Sequence, residues 1–418
     1  MSLKLELTAM AKRAQDASRI LMGVSSATKN NVLKEMAEEL LRRKKEIFAA
    51  NKKDVAFALK KRLPKAFIDR LTLNDKRLKE MSDSLLELVN LEDPVGEVIK
   101  AWRRPNGLWI HKVRTPLGVV AIIYESRPNV TSDCIGLCFK SGNSVILRGG
   151  SESLGSNMAL YHVLSDVMKK HGIADGVINV VSTKDRKAVD ILLTLSKFID
   201  VVIPRGGESL IKRVVSVSRI PVIKHYKGIC HVYVDERADL NMARKVCFNA
   251  KVQRPGVCNA MESMLVHKDV AVRFLPGMAK EFMGAGVELR GCPVTCRIVK
   301  AAKKAKKQDY YTEYLGLVLS VKVVGSMKDA IQHINHYGSH HSDAIVTDSY
   351  EHALEFLKQV DSACVYVNAS TRFTDGYQFG FGAEIGISTD RLHARGPMGL
   401  EELTTYKYVI RGNGQVRE

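Results

Sequence analysis

No apolar run in this 418-residue chain is long enough to cross a bilayer, so no transmembrane helix is expected. The first residues, Met1–Gln15, interleave Lys and Glu with Leu and lack the apolar stretch of a secretory signal. The eight cysteines lack paired spacing. Cys134/Cys138 and Cys292/Cys296 are each four apart, without companion histidines at zinc-finger spacing. That disfavours a metal site or a disulfide framework and fits a reducing cytoplasm. Internal repeats and low-complexity tracts are also missing. What remains is the composition of a globular protein, 45% hydrophobic and 26% charged with only 6% aromatic. At this length two or more domains are expected.

Acidic residues are the scarce sign, 45 against 64 basic ones, for a net charge of +19. Lys303, Lys304, Lys306 and Lys307 form a cluster that suggests nucleic acid. It is short and has no aromatic interleaving before Tyr310, so lysines on solvated faces account for it better. The same excess attracts an anionic substrate and cofactor.

Residues 3–92 read as helices, from Leu5, Met10, Ala14 and Ala17 through Asp75–Leu91. Beyond Pro94 the period changes. Val95–Trp102 and Leu108–Val113 flank Asn106-Gly107, a hairpin signal. This hairpin, carrying Trp102 and Trp109, reads as an arm that pairs with another subunit, and Glu402–Ile410 as a last strand that pairs with a partner's arm. Strand–helix alternation begins at Val119–Tyr124, a continuous apolar run suited to a buried parallel strand. It continues through Ser144–Leu147, Val177–Val181 and Val201–Ile203, and a second alternating set follows Val232. The fold class is α/β, with parallel sheets covered by helices.

Lys251–Glu262 organises the chemistry. Pro255 stops the preceding helix, Gly256 allows close backbone approach, and Cys258 lies on a short turn near Arg254. A thiol beside fixed positive charge is a candidate nucleophile. Two strand ends carry glycines before a helix, Arg148-Gly149-Gly150-Ser151 and Arg205-Gly206-Gly207. Their N–H groups suit an anion at a helix N-terminus, although the full Gly-x-Gly-x-x-Gly fingerprint is absent. An arginine in each turn points to a phosphorylated ribose, hence NADP over NAD. Tyr124–Val130 ends a further strand. There Arg127 can hold an acidic substrate, and Asn129 can donate to an oxyanion, cap the next helix, or do both. His333, His336, His340 and His341 close a helix rather than bind metal. No histidine can be placed in line with Cys258, which leaves a thiol hydrolase without its base.

Seven stretches together resemble the gamma-glutamyl phosphate reductase branch of the aldehyde dehydrogenase superfamily. They are Tyr124–Val130 (YESRPNV), Lys140–Ser151 (KSGNSVILRGGS), Val202–Gly207 (VIPRGG), Asn249–Ala260 (NAKVQRPGVCNA), Val367–Gly376 (VNASTRFTDG), Phe379–Thr389 (FGFGAEIGIST) and Ala394–Tyr406 (ARGPMGLEELTTY). The resemblance spans essentially the whole chain. It implies two Rossmann-like α/β domains plus a β-hairpin oligomerisation arm. The cofactor domain is expected over 1–96 and 114–232 and the catalytic domain over 233–368. The arm takes 97–113 and 400–418, and 369–399 returns near the active site. It further implies Cys258 as nucleophile, Asn129 as oxyanion donor, Arg148 beside the adenosine ribose, and Glu313 on the nicotinamide ribose. Arg127, Arg254 and Arg372 are candidates for the substrate's phosphate or carboxylate.

The implied reaction is NADPH-dependent reduction of L-glutamyl 5-phosphate to L-glutamate 5-semialdehyde through a cysteine thioester, the second step of proline biosynthesis. A homo-oligomer and a gamma-glutamyl kinase partner are implied too. Hydrolytic members of the superfamily carry a glutamate base upstream of the thiol. Val222–Gly228 (VIKHYKG) has no carboxylate, so the thioester should outlast water. The remaining alternatives are a hydrolytic aldehyde dehydrogenase and, distantly, a basic nucleic-acid-binding protein.

Overall fold

The computed structural model describes residues 2–417. The chain forms two compact units: one runs to Lys224 and includes Gly380–Gly386 and the chain from Met398, while the other takes His225–Phe379 and Ile387–Pro397. Among the described residues no helix is long and apolar enough to cross a membrane.

The first unit opens with helices Leu3–Leu21, Ser26–Arg42, Lys44–Lys60, Lys65–Leu71 and Asp75–Asn90. Ser2, Ser25 and Asn74 each accept a backbone N–H at a helix start, as capping requires. The first helix buries Leu7, Ala11, Ala14, Ala17 and Leu21, while Leu5, read as part of its apolar stripe, is 60% exposed. The stripe runs through Leu7 because it stands four residues before Ala11 and seven before Ala14, which keeps it on the packed face.

Four parallel strands follow, in the spatial order Ile178–Val180, Ser144–Arg148, Val119–Tyr124, Val201–Arg205. Every residue of Val119–Tyr124 and Ser144–Arg148 is buried, which is why those runs lack polar alternation. Val119, Ala121 and Ile123 pack with Leu7, Ala11, Leu192 and Val214 on one face. The alternate residues turn to the other, where helices Asn129–Lys140 and Leu154–Lys170 lie. Successive strands run outwards from Val119–Tyr124 in both directions, so the chain reverses between Val119–Tyr124 and Val201–Arg205. In open α/β sheets, ligands collect beyond the carboxyl ends of such a pair.

The same unit carries an antiparallel sheet of Val98–Arg103, Trp109–Pro116 and Thr404–Arg411. Gly107 N–H closes a turn onto Arg104 O at 2.9 Å, so Pro105 and Asn106 are its central residues and Gly107, at φ +92°, carries the chain into the second strand. Trp102 meets Tyr408 edge-on at 6.2 Å. The last strand pairs with the hairpin of its own chain, Thr404 opposite Pro116 through Arg411 opposite Trp109, rather than waiting for a partner's arm. Residues 401–403 form a short 3-10 turn, so that strand starts at Thr404 and not Glu402.

The second unit holds seven parallel strands, in the order Lys303–Lys304, Glu288–Gly291, Val318–Val324, Met261–His267, Cys230–Val234, Ser342–Val346, Cys364–Val367. Its boundary lies before Cys230 and not at 232/233, because Cys230–Val234 hydrogen-bonds to Met261–His267 and Ser342–Val346. Lys303 and Lys304 form a two-residue edge strand in which Lys303 pairs with Glu288 at 2.7 Å. Charge on an edge strand blocks further pairing and needs no polynucleotide. His333 and His336 lie on helix Met327–Tyr337, with His333 edge-on to Tyr310 and His231 and tilted against Tyr337.

Candidate active site

In the first unit the carboxyl end of Ser144–Arg148 packs tightly on its neighbours. A Cβ on Gly149 would fall 2.2 Å from Asn157 Nδ2, and one on Gly150 2.3 Å from Ser126 Oγ. Both glycines are therefore demanded by backbone approach before any ligand is considered. Ser151 then begins a short 3-10 turn that leads into helix Leu154–Lys170. The Arg148 side chain curls back, its Nη1 donating to Gly149 O at 2.7 Å, while its buried Nε has no hydrogen-bond partner. Burial and nearby Arg186 lower its pKa, while Glu152 and Asp185 act the other way without forming an ion pair with it.

The second glycine turn is already engaged. Gly207 N–H donates to Glu125 Oε1 at 2.8 Å, and Arg205 Nη1 to Glu384 Oε1 at 3.4 Å. A side chain on Gly206 would collide with Glu125. An anion at this turn has to displace the Glu125 carboxylate, a feature the glycine pattern did not reveal.

Arg127 and Asn129 are exposed at the end of Val119–Tyr124. The cap of the following helix is Pro128, in helical geometry, and Asn129 is its first full residue. Asn129 is thus no N-cap. Its Nδ2 donates down the helix to Asp133 Oδ2 at 3.1 Å. Burial pushes the Asp133 carboxyl up to about 7, against the pull of Asn129 and Arg205.

In the second unit helix Leu240–Val252 stops short of Pro255, and Ala260 N–H closes a turn onto Val257 O at 3.1 Å. Cys258 and Asn259 are its two central residues. Asn259 pins the turn: its Nδ2 donates to Thr374 O at 2.7 Å, its carbonyl accepts from Thr371 Oγ1 at 2.7 Å, and its Oδ1 accepts from Arg372 Nη1. Arg372 Nε also donates to Gln253 Oε1 at 2.9 Å. Burial lowers the Arg372 guanidinium and Arg254 lowers it further, while Asp375 and Cys258 act the other way. The Arg372 guanidinium therefore lies within electrostatic reach of the thiol, and Arg254 within reach of Arg372, the positive surroundings that suit a nucleophilic cysteine.

Two contacts behind the turn were invisible in the sequence. A Cβ on Gly228 would lie 1.8 Å from Cys258 O, and the same oxygen accepts from Cys230 Sγ at 3.2 Å. Gly228 N–H donates to Glu313 Oε1 at 2.9 Å, so a carboxylate from a distant loop reaches the segment that has none of its own. That loop is anchored in turn, since Leu315 N–H donates to Glu262 Oε1 at 3.2 Å and Leu315 is held at φ +52°. Glu262 and Lys251, both fully buried, form an ion pair at 2.5 Å. Burial pushes Glu262 up to about 7 and Lys251 down, and their mutual contact opposes both shifts. The structure thus gathers Cys258, Arg254, Arg372 and Glu313 within one unit, and Asn129, Arg127, Arg148 and the two glycine turns within the other.

Comparison with known proteins gives a consistent result. The aldehyde dehydrogenase family model matches residues 4–289 and 284–409. Gamma-glutamyl phosphate reductase of Thermodesulfovibrio yellowstonii is 56% identical over 408 residues, 98% of each chain. That of Halothermothrix orenii is 54% identical over 418 residues, the full length of both. The crystal structure of gamma-glutamyl phosphate reductase from Thermotoga maritima superposes with a TM-score of 0.97 at 47% identity, covering 99% of this chain and 100% of that one.

Proposed function

The chain belongs to the aldehyde dehydrogenase family and, within it, to the gamma-glutamyl phosphate reductases, oxidoreductases of proline biosynthesis, and from that premise we propose a mechanism on Cys258. The observation that carries it is the Cys258–Asn259 turn, pinned from behind by Gly228 and flanked by Arg254 and Arg372. The Cys258 thiolate attacks the acyl carbon of L-glutamyl 5-phosphate, forming the C–S bond as the C–O bond to phosphate breaks. Asn129 and the Cys258 backbone N–H stabilise the oxyanion, one such donor being worth about 3 kcal/mol of barrier. Arg127, Arg254 and Arg372 share the phosphate and the substrate carboxylate. NADPH, when bound, supplies the hydride that reduces the thioester. Expulsion of the Cys258 thiolate then frees L-glutamate 5-semialdehyde, whose own amine closes onto the aldehyde.

The residues on hand fit NADP. Arg148 Nε is a buried donor with no partner beside the Gly149–Gly150–Ser151 turn, the chemistry a ribose phosphate would satisfy. Arg205, Gly206 and Gly207 offer a second anion site once Glu125 swings away, and Glu313 is suited to a ribose hydroxyl pair. We assign the phosphate-binding turns of the cofactor site to the first unit, and the nucleophile and Glu313 to the second. Residues 369–379 support the nucleophile, with Thr371, Arg372 and Thr374 holding Asn259. The three-stranded arm, with Trp109, Tyr406, Tyr408 and Ile410 exposed, is assigned to a homo-oligomer, a dimer or larger. A gamma-glutamyl kinase would supply the acyl phosphate in the cytoplasm, where eight unpaired cysteines are stable.

The test runs the reaction backwards, with the semialdehyde, NADP and inorganic phosphate. Reduction of NADP should require phosphate and should outpace that of NAD. Phosphate-independent turnover would instead indicate a hydrolytic aldehyde dehydrogenase, and equal use of NAD would undo the Arg148 assignment.

A further inference from the structure

Asp133 stands one helical turn beyond Asn129, on the same face of Asn129–Lys140. One of its oxygens holds the Asn129 amide. The other, Oδ1, is buried with no hydrogen-bond partner. Among the described residues Asp133 forms no ion pair with a lysine, arginine or histidine. Arg205, the one cation with an influence on it, is bonded to Glu384. A sheltered carboxylate without a counter-charge is unfavourable, and it is relieved either by a proton or by a cation that arrives with a ligand.

We infer that Asp133 binds the α-ammonium group of the substrate and so selects an acyl phosphate bearing an amine over its des-amino counterpart. The inference rests on the reaction proposed above. The acyl carbon and the ammonium nitrogen of a γ-glutamyl group are four bonds apart, about 5 Å when extended. The Asn129 amide and the Asp133 carboxylate, one helical turn apart, touch at 3.1 Å, and a ligand atom bonded to each stands about 3 Å beyond its own partner, so two such atoms can be about 5 Å apart. An acyl oxygen at Asn129 therefore brings the ammonium to Asp133. The α-carboxylate, repelled by Asp133, is left to the exposed arginines, of which Arg127 is nearest in sequence. Holding the Asn129 amide and binding the ammonium use different oxygens, so the two tasks are compatible.

The experiment measures phosphate-dependent NADP reduction with glutamate 5-semialdehyde and with 5-oxopentanoate, the same aldehyde without its amine. The wild type should prefer the amino aldehyde in kcat/KM, and Asp133→Asn should cut that preference by about 10- to 100-fold, chiefly through KM. Taking the ratio between enzymes cancels the share of amino aldehyde lost to cyclisation. A preference that stays at the wild-type value in Asp133→Asn, however far both rates fall, overturns the inference and leaves Asp133 as a positioning residue for Asn129. Should the variant fail to fold, the wild type decides alone, since parity between the two aldehydes contradicts the inference. If the wild type acts on neither aldehyde with phosphate, the reaction class is wrong and the inference falls with it.

Discussion

Glu262 and Asp133 are both carboxylates that burial pushes up to about 7, and each stands beside a residue assigned to the chemistry. Around Cys258 the buried charge is answered within the fold: Glu262 meets Lys251 at 2.5 Å and spends its other oxygen on Leu315 N–H. Around Asn129 it is not, for Asp133 has one oxygen on an amide and one on nothing. The contrast separates two uses of a buried acid. A paired one fixes backbone, here the loop that carries Glu313 and the strand that follows the nucleophile turn. An unpaired one keeps an acceptor oxygen unused, which is the basis for assigning it to the substrate's ammonium group.

The largest expected effect breaks the paired side. Lys251→Met strands the Glu262 carboxylate in the core and should destabilise the enzyme by about 3–5 kcal/mol. Lys251→Met with Glu262→Leu should recover most of that loss, since no uncompensated charge remains. Denaturant unfolding measures both, and a cost below about 1 kcal/mol for the single variant would erase the contrast. Next comes Gly228→Ala, which drives a methyl into Cys258 O and shifts the turn. A misplacement of this kind should lower kcat by about 100-fold, read against a melting curve that shows the fold intact.

The smallest effect lies on the unpaired side. The folded-state pKa of Asp133 is raised from an ordinary value of 3.8 to about 7. Its contribution is therefore most favourable below pH ~4 and is lost as pH rises towards 7. Asp133→Asn should melt above the wild type at pH 8, with the gap shrinking steadily as pH falls to 5. A gap independent of pH would mean that Asp133 is solvated after all.

Much of this could be read from residue order, where local chemistry decides the outcome. The run Val119–Tyr124 is apolar throughout because both faces are covered, and the hairpin closes over Arg104–Gly107 because a glycine takes the φ of +92° at its end. The Arg-Pro-Gly-Val-Cys-Asn stretch marked its own turn. What stayed hidden depends on contacts from far along the chain. Met261–His267 is a central strand, yet Glu262 interrupts its apolar pattern, and Lys251 together with Leu315 N–H makes that tolerable. Gly228 is one glycine among 30 until Cys258 O is found against it. The Gly206–Gly207 turn looked open, but Glu125 from the neighbouring strand end fills it. Asp133 at four residues from Asn129 was a readable signal, whereas the missing partner of its second oxygen was not.

The central claim is that Cys258 carries the acyl group and that water does not release it. The direct measurement is a single turnover with glutamate 5-semialdehyde and NADP in the absence of phosphate, followed by mass spectrometry of the enzyme. The account predicts a burst of about one NADPH per active subunit and a glutamyl adduct on the Cys258 peptide, discharged when phosphate is added. Sustained turnover without phosphate, or a burst with no adduct on Cys258, would contradict it.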